Sequence, residues 1–274
     1  MIAIKELTTI AEMEQVQKLE ADIWQSTPLP THQTLTVAKH GGILVGAYDE
    51  DRLVGFSYGF PAVKNGKTYL CSHMLGIDEA YRSQQIGEKL KFAQREVAIT
   101  KGYDLMVWTY DPLETRNGYL NLTKLNGICD TYVENCYGEM QDGFNKGLPS
   151  DRFEVHWHLT SQYVTEQLHP NTANPKPLAQ LIFDTDGLPS LEDVNLENLV
   201  EAVYSLPVPK DFQSLKAQNQ EKAMQWRFAT RDAFEKLFAA GYAAVRLEQQ
   251  ELCNHYIFVK KASLPLEETN HENN

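Results

Sequence analysis

Cysteine is scarce in the sequence and never closely paired. The 274 residues include four cysteines, Cys71, Cys129, Cys136 and Cys253, and no C-x-x-C pair. Structural zinc sites and the disulfide frameworks of small secreted domains need closely spaced or numerous cysteines. The sequence therefore predicts reduced thiols, no metal site and a cytoplasmic protein.

Long apolar runs and an excess of basic residues are also absent. No run is apolar for long enough to span a bilayer, and the N-terminal MIAIKELTTI lacks the pattern of a signal peptide. The 25 Lys and Arg residues stand against 37 Asp and Glu, a net charge of −12. That charge disfavours binding to nucleic acid or to an anionic membrane surface. We expect neither as a partner.

Hydrophobic periodicity predicts an α+β order of elements in the first 160 residues. Thr9 and Glu12 have the spacing of a capping box, which marks the start of a helix. Another helix begins at Ile86, where apolar residues recur on one side. The predicted elements are a strand at 2–7, helices at 10–24 and 34–39, strands at 43–48, 53–60 and 69–77, the helix from 86, and a strand at 105–109. A helix over 113–125 and strands at 129–136 and 152–159 follow.

The junction between the strand at 69–77 and the helix from Ile86 is suited to an anion. The first turn of a helix has N–H groups without intrahelical partners and carries partial positive charge. Arg82 adds a permanent charge, Ser83 is small, and Gly87 leaves the backbone bare. An ordinary loop into a surface helix has the same pattern, so both interpretations stay open.

The stretch GIDEAYRSQQIGEKLKFAQ resembles the acyl-CoA binding motif of the GCN5-related N-acetyltransferase superfamily. That motif is Arg/Gln-x-x-Gly-x-Gly/Ala, between the fourth strand and the third helix of the family. Arg82 matches its first position and Gly87 its last, whereas Gln85 stands at the middle Gly. A register from Gln84 would place Lys89 last. The first register is preferred because it aligns the aromatic and aliphatic positions Tyr81, Ile86 and Leu90.

The resemblance covers residues 2 to about 159 and implies the acyl-CoA N-acyltransferase fold, a mixed, mostly antiparallel sheet flanked by helices. It implies acetyl-CoA or another acyl-CoA as co-substrate, with pantetheine along the fourth strand and the diphosphate on the following loop. The cofactor-binding residues it implies are Met74, Leu75, Gly76, Ile77, Arg82, Ser83, Gln84, Gln85, Ile86, Gly87, Glu88 and Asn121.

The implied reaction needs a group that deprotonates the amine and an acid for the leaving thiolate. Many members of the superfamily use a Tyr within a pattern like L-Y-x-K-L-G, but Leu122 occupies that position here. Tyr119, about one turn earlier, is the candidate acid, and His73 on the fourth strand is the candidate base. A packing role for Tyr119 and a structural role for His73 are the alternatives.

The segment WTYDPLETRN, residues 108–117, resembles a recurring signature in a less characterised branch of the superfamily that has a C-terminal extension. It follows a strand end that borders the acyl-acceptor cleft in this fold. The resemblance therefore implies Trp108, Asp111, Arg116 and Asn117 as substrate-binding residues. Arg116 could hold a substrate carboxylate through two hydrogen bonds, or it could pair with Asp111.

The rest of the chain is predicted to be a smaller α+β unit. Its strands, its long helix over 214–240 and its final hairpin at 243–260 suggest either half of an acyltransferase fold or a generic lid or dimerisation unit, the last of which would make a homodimer. The predicted divisions are an acyltransferase domain at 1–160, a linker at 161–178, the C-terminal unit at 179–262 and a disordered tail at 263–274.

Together these patterns predict a cytoplasmic, acyl-CoA-dependent N-acyltransferase. It would move an acetyl, succinyl or other small acyl group to the amine of a small molecule such as an amino acid, because the acidic chain suits neither nucleic acid nor acidic proteins. A non-catalytic acyl-CoA-binding or regulatory protein on the same fold is the first alternative, which Leu122 and Gln85 both permit. An interaction module whose loop binds nothing is the second.

Overall fold

The structure is a computed structural model that describes residues 2–140 and 145–267. Two compact units make up the chain, Met1–Trp108 with His158–Thr160 and Thr109–Trp157 with Ser161–Asn274. The domain boundaries predicted from the sequence stay a prediction. Most of the predicted tail, from residue 268 onwards, lies outside the described residues.

The first unit is a sheet with helices on both faces. Its elements are β1 (Ile2–Glu6), α1 (Ile10–Trp24), α2 (Thr31–Lys39), β2 (Ile43–Asp49), β3 (Arg52–Lys64), β4 (Lys67–Ile77), a 3-10 turn (Glu79–Tyr81), α3 (Ile86–Thr100) and β5 (Leu105–Tyr110). Strands β1 to β4 pair antiparallel in chain order, and β5 pairs parallel with β4. Helices α1 and α2 cover the face that carries Phe56 and Tyr58, whereas α3 covers the face of Ser57. The predicted α+β fold is confirmed.

Helix α1 begins at the predicted capping box. Glu12 N donates to Thr9 Oγ1 at 3.4 Å, and Glu12 Oε2 accepts from Thr9 N at 3.0 Å and Thr8 N at 2.8 Å. The Lys5 ammonium donates to Glu12 Oε1 at 2.8 Å. Partial burial raises the pKa of Glu12, but these hydrogen bonds outweigh it and lower the pKa to about 2.

Acid should therefore weaken this end of α1. The pKa of Glu12 is lower in the folded chain than its ordinary value of 4.5, so its stabilising contribution is present above pH 4.5 and is lost as the pH falls towards 2. Between these pH values, wild type should lose about 1–2 kcal/mol more unfolding free energy than Glu12→Gln, a figure reduced for solvent screening. Urea unfolding at several pH values measures this difference. The exposed neighbour Glu14→Gln should behave like wild type, and equal losses for Glu12→Gln and wild type would contradict the assignment.

The second unit contains a run of paired strands with one long helix. Its elements after β5 are α4 (Thr115–Gly118), a π-helical turn (Tyr119–Lys124), β6 (Ile128–Val133), β7 (Arg152–His158), α5 (Gln162–Thr165), β8 (Lys176–Pro177), β9 (Gln180–Phe183), β10 (Pro189–Glu192), β11 (Val203–Val208), α6 (Phe212–Gln218), α7 (Gln220–Ala239), β12 (Tyr242–Gln249), β13 (Asn254–Lys260) and a 3-10 turn (Lys261–Ser263). Strand order here is β7-β6-β12-β13-β11-β8, and β9 pairs with β10.

Two helices in the second unit are shorter than the sequence predicts. The helix expected over 113–125 is divided between α4 and the π-helical turn. The helix expected over 214–240 breaks at Asn219, which has an extended backbone and caps α7 by accepting a hydrogen bond from Lys222 N at 2.9 Å. Asparagine favours such a cap over a helix interior because its side chain competes for backbone groups.

Candidate acyl-CoA site

Strand β4 carries a bulge at the point where it leaves β5. Its pairing with β5 consists of Leu70 with Met106 and Cys71 with Val107, yet β4 continues to Ile77. On the β3 side, the register passes from Tyr58–Met74 to Phe60–Cys71, so β4 has one extra residue there. A bulge bends its strand and increases the local twist. The last part of β4 therefore diverges from β5 at Ser72 and His73.

The bulge changes which way the side chains of β4 point. His73 and the adjacent Met74 both lie beside Tyr58, on the α1 face, whereas Ser72 lies on the α3 face. The sequence predicts alternation of His73 and Met74, and that prediction is wrong because the extra residue shifts the period. A Cβ on Gly59, opposite the bulge, would lie 3.0 Å from the Cys71 carbonyl oxygen, so this position favours glycine.

The loop after β4 is held by side-chain contacts from Asp78 to Tyr81 and is exposed from Arg82 onwards. Tyr81 Oη donates to Asp49 Oδ2 at 2.9 Å, and Arg52 pairs with Asp78 at 2.6 Å. Arg82 follows with 47% of its side chain exposed. These contacts hold the loop to the turn between β2 and β3 and leave the Arg82 guanidinium accessible.

Helix α3 starts without a side-chain cap. Ser83 and Gln85 both have left-handed backbones, with φ of 66° and 61°, and Gln85 is the N-cap residue with no side-chain hydrogen bond to the helix. Glycine adopts this conformation at no steric cost, so the family's glycine at the position of Gln85 has a physical reason. The amides at the start of α3 are therefore available to an anion.

The loop between β4 and α3 lies beside the end of β4 that is no longer paired with β5. This is the arrangement that the resemblance implies for an acyl-CoA site. The first unit has the α+β architecture and the order of elements that the resemblance implies.

Solved acetyltransferase structures are similar to just over half of the chain. NAA60 from Arabidopsis thaliana, in complex with a bisubstrate analogue, is 14% identical with a TM-score of 0.45, and the match covers 57% of this chain and 97% of that one. The ribosomal-protein-S18-alanine N-acetyltransferase from Escherichia coli is 13% identical with a TM-score of 0.46, over 58% of this chain and 94% of that one. The NatC complex bound to Gag peptide and CoA is 18% identical with a TM-score of 0.47, over 58% and 99%.

No protein-family model and no curated protein matches the sequence. The structural likenesses are too distant to transfer a substrate or a residue's role. Within the described residues, no helix is both long and apolar enough to cross a membrane.

On β4, the candidate base His73 packs among aromatic rings. Its ring centroid lies 5.7 Å from that of Phe60 and 6.3 Å from that of Tyr58. The residue remains exposed, yet desolvation by the surrounding protein lowers its pKa below the ordinary value. A neutral imidazole at pH 7 is the form that accepts a proton.

A buried polar cluster behind β4 was not found from the sequence. Lys91 Nζ donates to Ser72 Oγ at 2.8 Å and lies 3.3 Å from the ring centroid of Trp108. Ser72 in turn donates to Gln94 Oε1 at 2.7 Å, as does Ser57 at 2.9 Å. Trp108, predicted to bind substrate, is thus a neighbour of Lys91 within this unit. The signal was the spacing of Lys91 and Gln94, two polar residues three positions apart, on the helical stripe that continues to the buried Ala98.

The remaining predicted residues lie in the second unit. Asp111 accepts from Arg227 Nη1 at 2.9 Å and Nη2 at 2.5 Å, so the pairing with Arg116 considered from the sequence is replaced by one with Arg227. Arg116 and Asn117 are exposed on α4. In the π-helical turn, Tyr119 is half-buried, and Asn121 and Leu122 are buried.

Proposed function

We propose that this protein is an acyl-CoA-dependent N-acyltransferase of the GCN5-related superfamily. The observation that supports this most is the bulged divergence of β4 from β5 beside a helix with uncapped amides. The diphosphate of CoA would accept from the amides of Ile86, Gly87 and Glu88, with Arg82 contributing its charge. Ser83, Gln84 and Gln85 would shape the turn.

The pantetheine arm would run along β4 from Ile77 to Met74. These residues pair with β3 on one edge, and the pairing of β4 with β5 ends before them, at Cys71. Amide groups of pantetheine can hydrogen-bond to such an edge as an added strand does. This path carries the thioester towards the bulge at Ser72 and His73.

The chemical step is attack by a neutral amine on the thioester carbon. A C–N bond forms, the C–S bond breaks, and the amine loses a proton while the thiolate gains one. His73 is proposed to accept the proton from the amine, since its lowered pKa keeps it neutral at pH 7. Tyr119 is proposed as the donor to the thiolate.

The proposed acceptor is a small-molecule amine such as an amino acid. Asp111 accepts a hydrogen bond from Arg227, so we assign it a structural role. Arg116 and Asn117 are then the exposed polar residues of the segment 108–117. The Arg116 guanidinium would bind a carboxylate of the acceptor through two hydrogen bonds. A cytoplasmic location is part of this proposal, and the free thiol state of the four cysteines supports it.

A non-catalytic acyl-CoA-binding protein is the second candidate. Leu122 occupies the position of the usual proton-donating Tyr and is 1% exposed, so it offers neither a hydroxyl nor access. Such a protein would bind CoA esters and transfer nothing.

Both candidate functions require binding of CoA, which calorimetric titration with CoA and acetyl-CoA tests. We expect a single site with micromolar affinity, about −8 kcal/mol. A thiol-release assay over a panel of amino acids and other small amines then separates them. Release that depends on an amine supports the enzyme, binding without release for any amine supports the second candidate, and no binding contradicts both.

A further inference from the structure

Trp24, the last residue of α1, keeps much of a large apolar side chain in water. The residue is 41% exposed, whereas the other tryptophans of the chain, Trp108, Trp157 and Trp226, are buried. A single exposed apolar residue is ordinary in itself, so its location decides whether it has a role. Tryptophan is also the residue type that most often dominates the binding energy of an interface.

The indole of Trp24 lies against β4 at Gly76. Phe56 and Gly76 are cross-strand partners, and the rings of Trp24 and Phe56 meet edge to face with their centroids 6.0 Å apart. A Cβ on Gly76 would lie 3.0 Å from Cη2 of Trp24 and 2.9 Å from side-chain atoms of both Ile23 and Phe56. A larger residue at position 76 would have to displace these side chains. Glycine therefore lets the indole lie directly on the backbone of β4.

The same part of β4 is the proposed path of the pantetheine arm. Within the described residues, the last pair between β4 and β5 is Cys71 with Val107, well before Gly76. The edge of β4 that faces away from β3 is thus beyond its pairing with β5 where Trp24 lies on it. The exposed part of the indole and this strand edge form two adjoining sides of the path.

The chemistry of pantetheine matches these two sides. The arm carries two methyl groups next to its diphosphate end, and its two amides follow. With the diphosphate at the start of α3, the methyl groups come beside Ile77 and Gly76, the end of β4 nearest the loop. Methyl groups on an indole gain dispersion contacts and remove apolar surface from water. The amides remain available to the backbone of β4.

We propose that the exposed indole of Trp24 binds the pantetheine arm of CoA, packing on its methyl-bearing end beside Gly76. The inference rests on the proposed function, since it needs a CoA ester along β4. In this arrangement Trp24 contributes to the affinity for the donor and takes no part in the proton transfers.

CoA and its nucleotide half, 3′-phospho-ADP, are a matched pair of probes that differ in the pantetheine arm. In Trp24→Ala, calorimetric titration should show about tenfold weaker binding of CoA and unchanged binding of 3′-phospho-ADP, because only CoA loses a contact. The affinity for the nucleotide half also reports that the variant is folded. Ile10, exposed at the other end of α1, provides the control variant Ile10→Ala, which should bind both ligands like wild type.

Quenching of tryptophan fluorescence by acrylamide provides a second measurement on the wild-type protein. Because Trp24 is the exposed tryptophan, CoA should protect the fluorescence from quenching, whereas 3′-phospho-ADP should not. Trp24→Phe, which keeps an aromatic ring in the same place, should show no protection by CoA.

The outcomes separate this inference from the proposed function. Equal weakening of the two ligands in Trp24→Ala, or weakening of neither, overturns the role of Trp24 and leaves the acyltransferase proposal standing. Failure of wild type to bind CoA overturns both. If Trp24→Ala does not fold, the quenching of wild type decides, because CoA that binds without protecting the fluorescence overturns the inference.

Discussion

Replacing Asp111 with alanine is expected to lower the free energy of unfolding by about 3–5 kcal/mol. The Arg227 side chain is 1% exposed, and that of Asp111 is 10% exposed. Without the carboxylate, the guanidinium stays buried with its main source of negative charge removed. Urea unfolding followed by tryptophan fluorescence measures the change.

The double variant Asp111→Leu with Arg227→Met is the matched control. It removes the Asp111–Arg227 pair and keeps side chains of similar bulk, so it should recover part of the lost stability; Arg152, 3.9 Å from Asp111, still loses that carboxylate. A loss below about 1 kcal/mol in Asp111→Ala, the range of exposed ion pairs, would contradict the structural role. Asp111 would then return to the set of residues available to the acceptor.

Replacing Gly87 with leucine is expected to weaken CoA binding by a factor of about 100 or more. The side chain would cover the amides that the diphosphate needs, and losing about two charge-assisted hydrogen bonds costs this much. Stability should not fall, because leucine is favoured over glycine in a helix, by less at the second residue of α3 than the ~1 kcal/mol of a helix interior. Titration with CoA and urea unfolding of the same variant give the two quantities.

Thr100→Leu is the control for Gly87→Leu. It adds an apolar side chain at the exposed far end of α3 and should leave CoA affinity unchanged. If Gly87→Leu binds CoA like wild type while remaining folded, the diphosphate does not lie on these amides. A fall in both stability and binding would instead place Gly87 in the packing of the helix.

Local patterns predicted the elements of the first unit well. The capping box at Thr9 and Glu12, the meander of β2 to β4 and the start of α3 at Ile86 each depend on a few neighbouring residues. The loop from Asp78 to Gln85 was predicted for the same reason. The break in the helix predicted over 214–240 was not, because Asn219 changed the local preference within an otherwise helical stretch.

Some packed features of each unit depend on residues that are far apart in sequence. Asp111 and Arg227 are separated by 116 residues, and their pairing leaves no local pattern. The bulge in β4 also leaves no sequence pattern, because TYLCSHMLGI is typical of an uninterrupted strand. Lys91 follows Leu90 on an amphipathic helix, where a lysine is normally taken as a solvent-facing residue.

The extra residue in β4 determines which face of the sheet each later side chain of the strand points to. Deleting one residue there would turn Leu75 and Ile77 towards α1 and place Gly76 under α3, which reverses two packed surfaces at once. This strand should therefore accept substitutions more readily than changes of length. An alignment of homologous chains that opens a gap between Cys71 and Met74 is best treated as a misalignment.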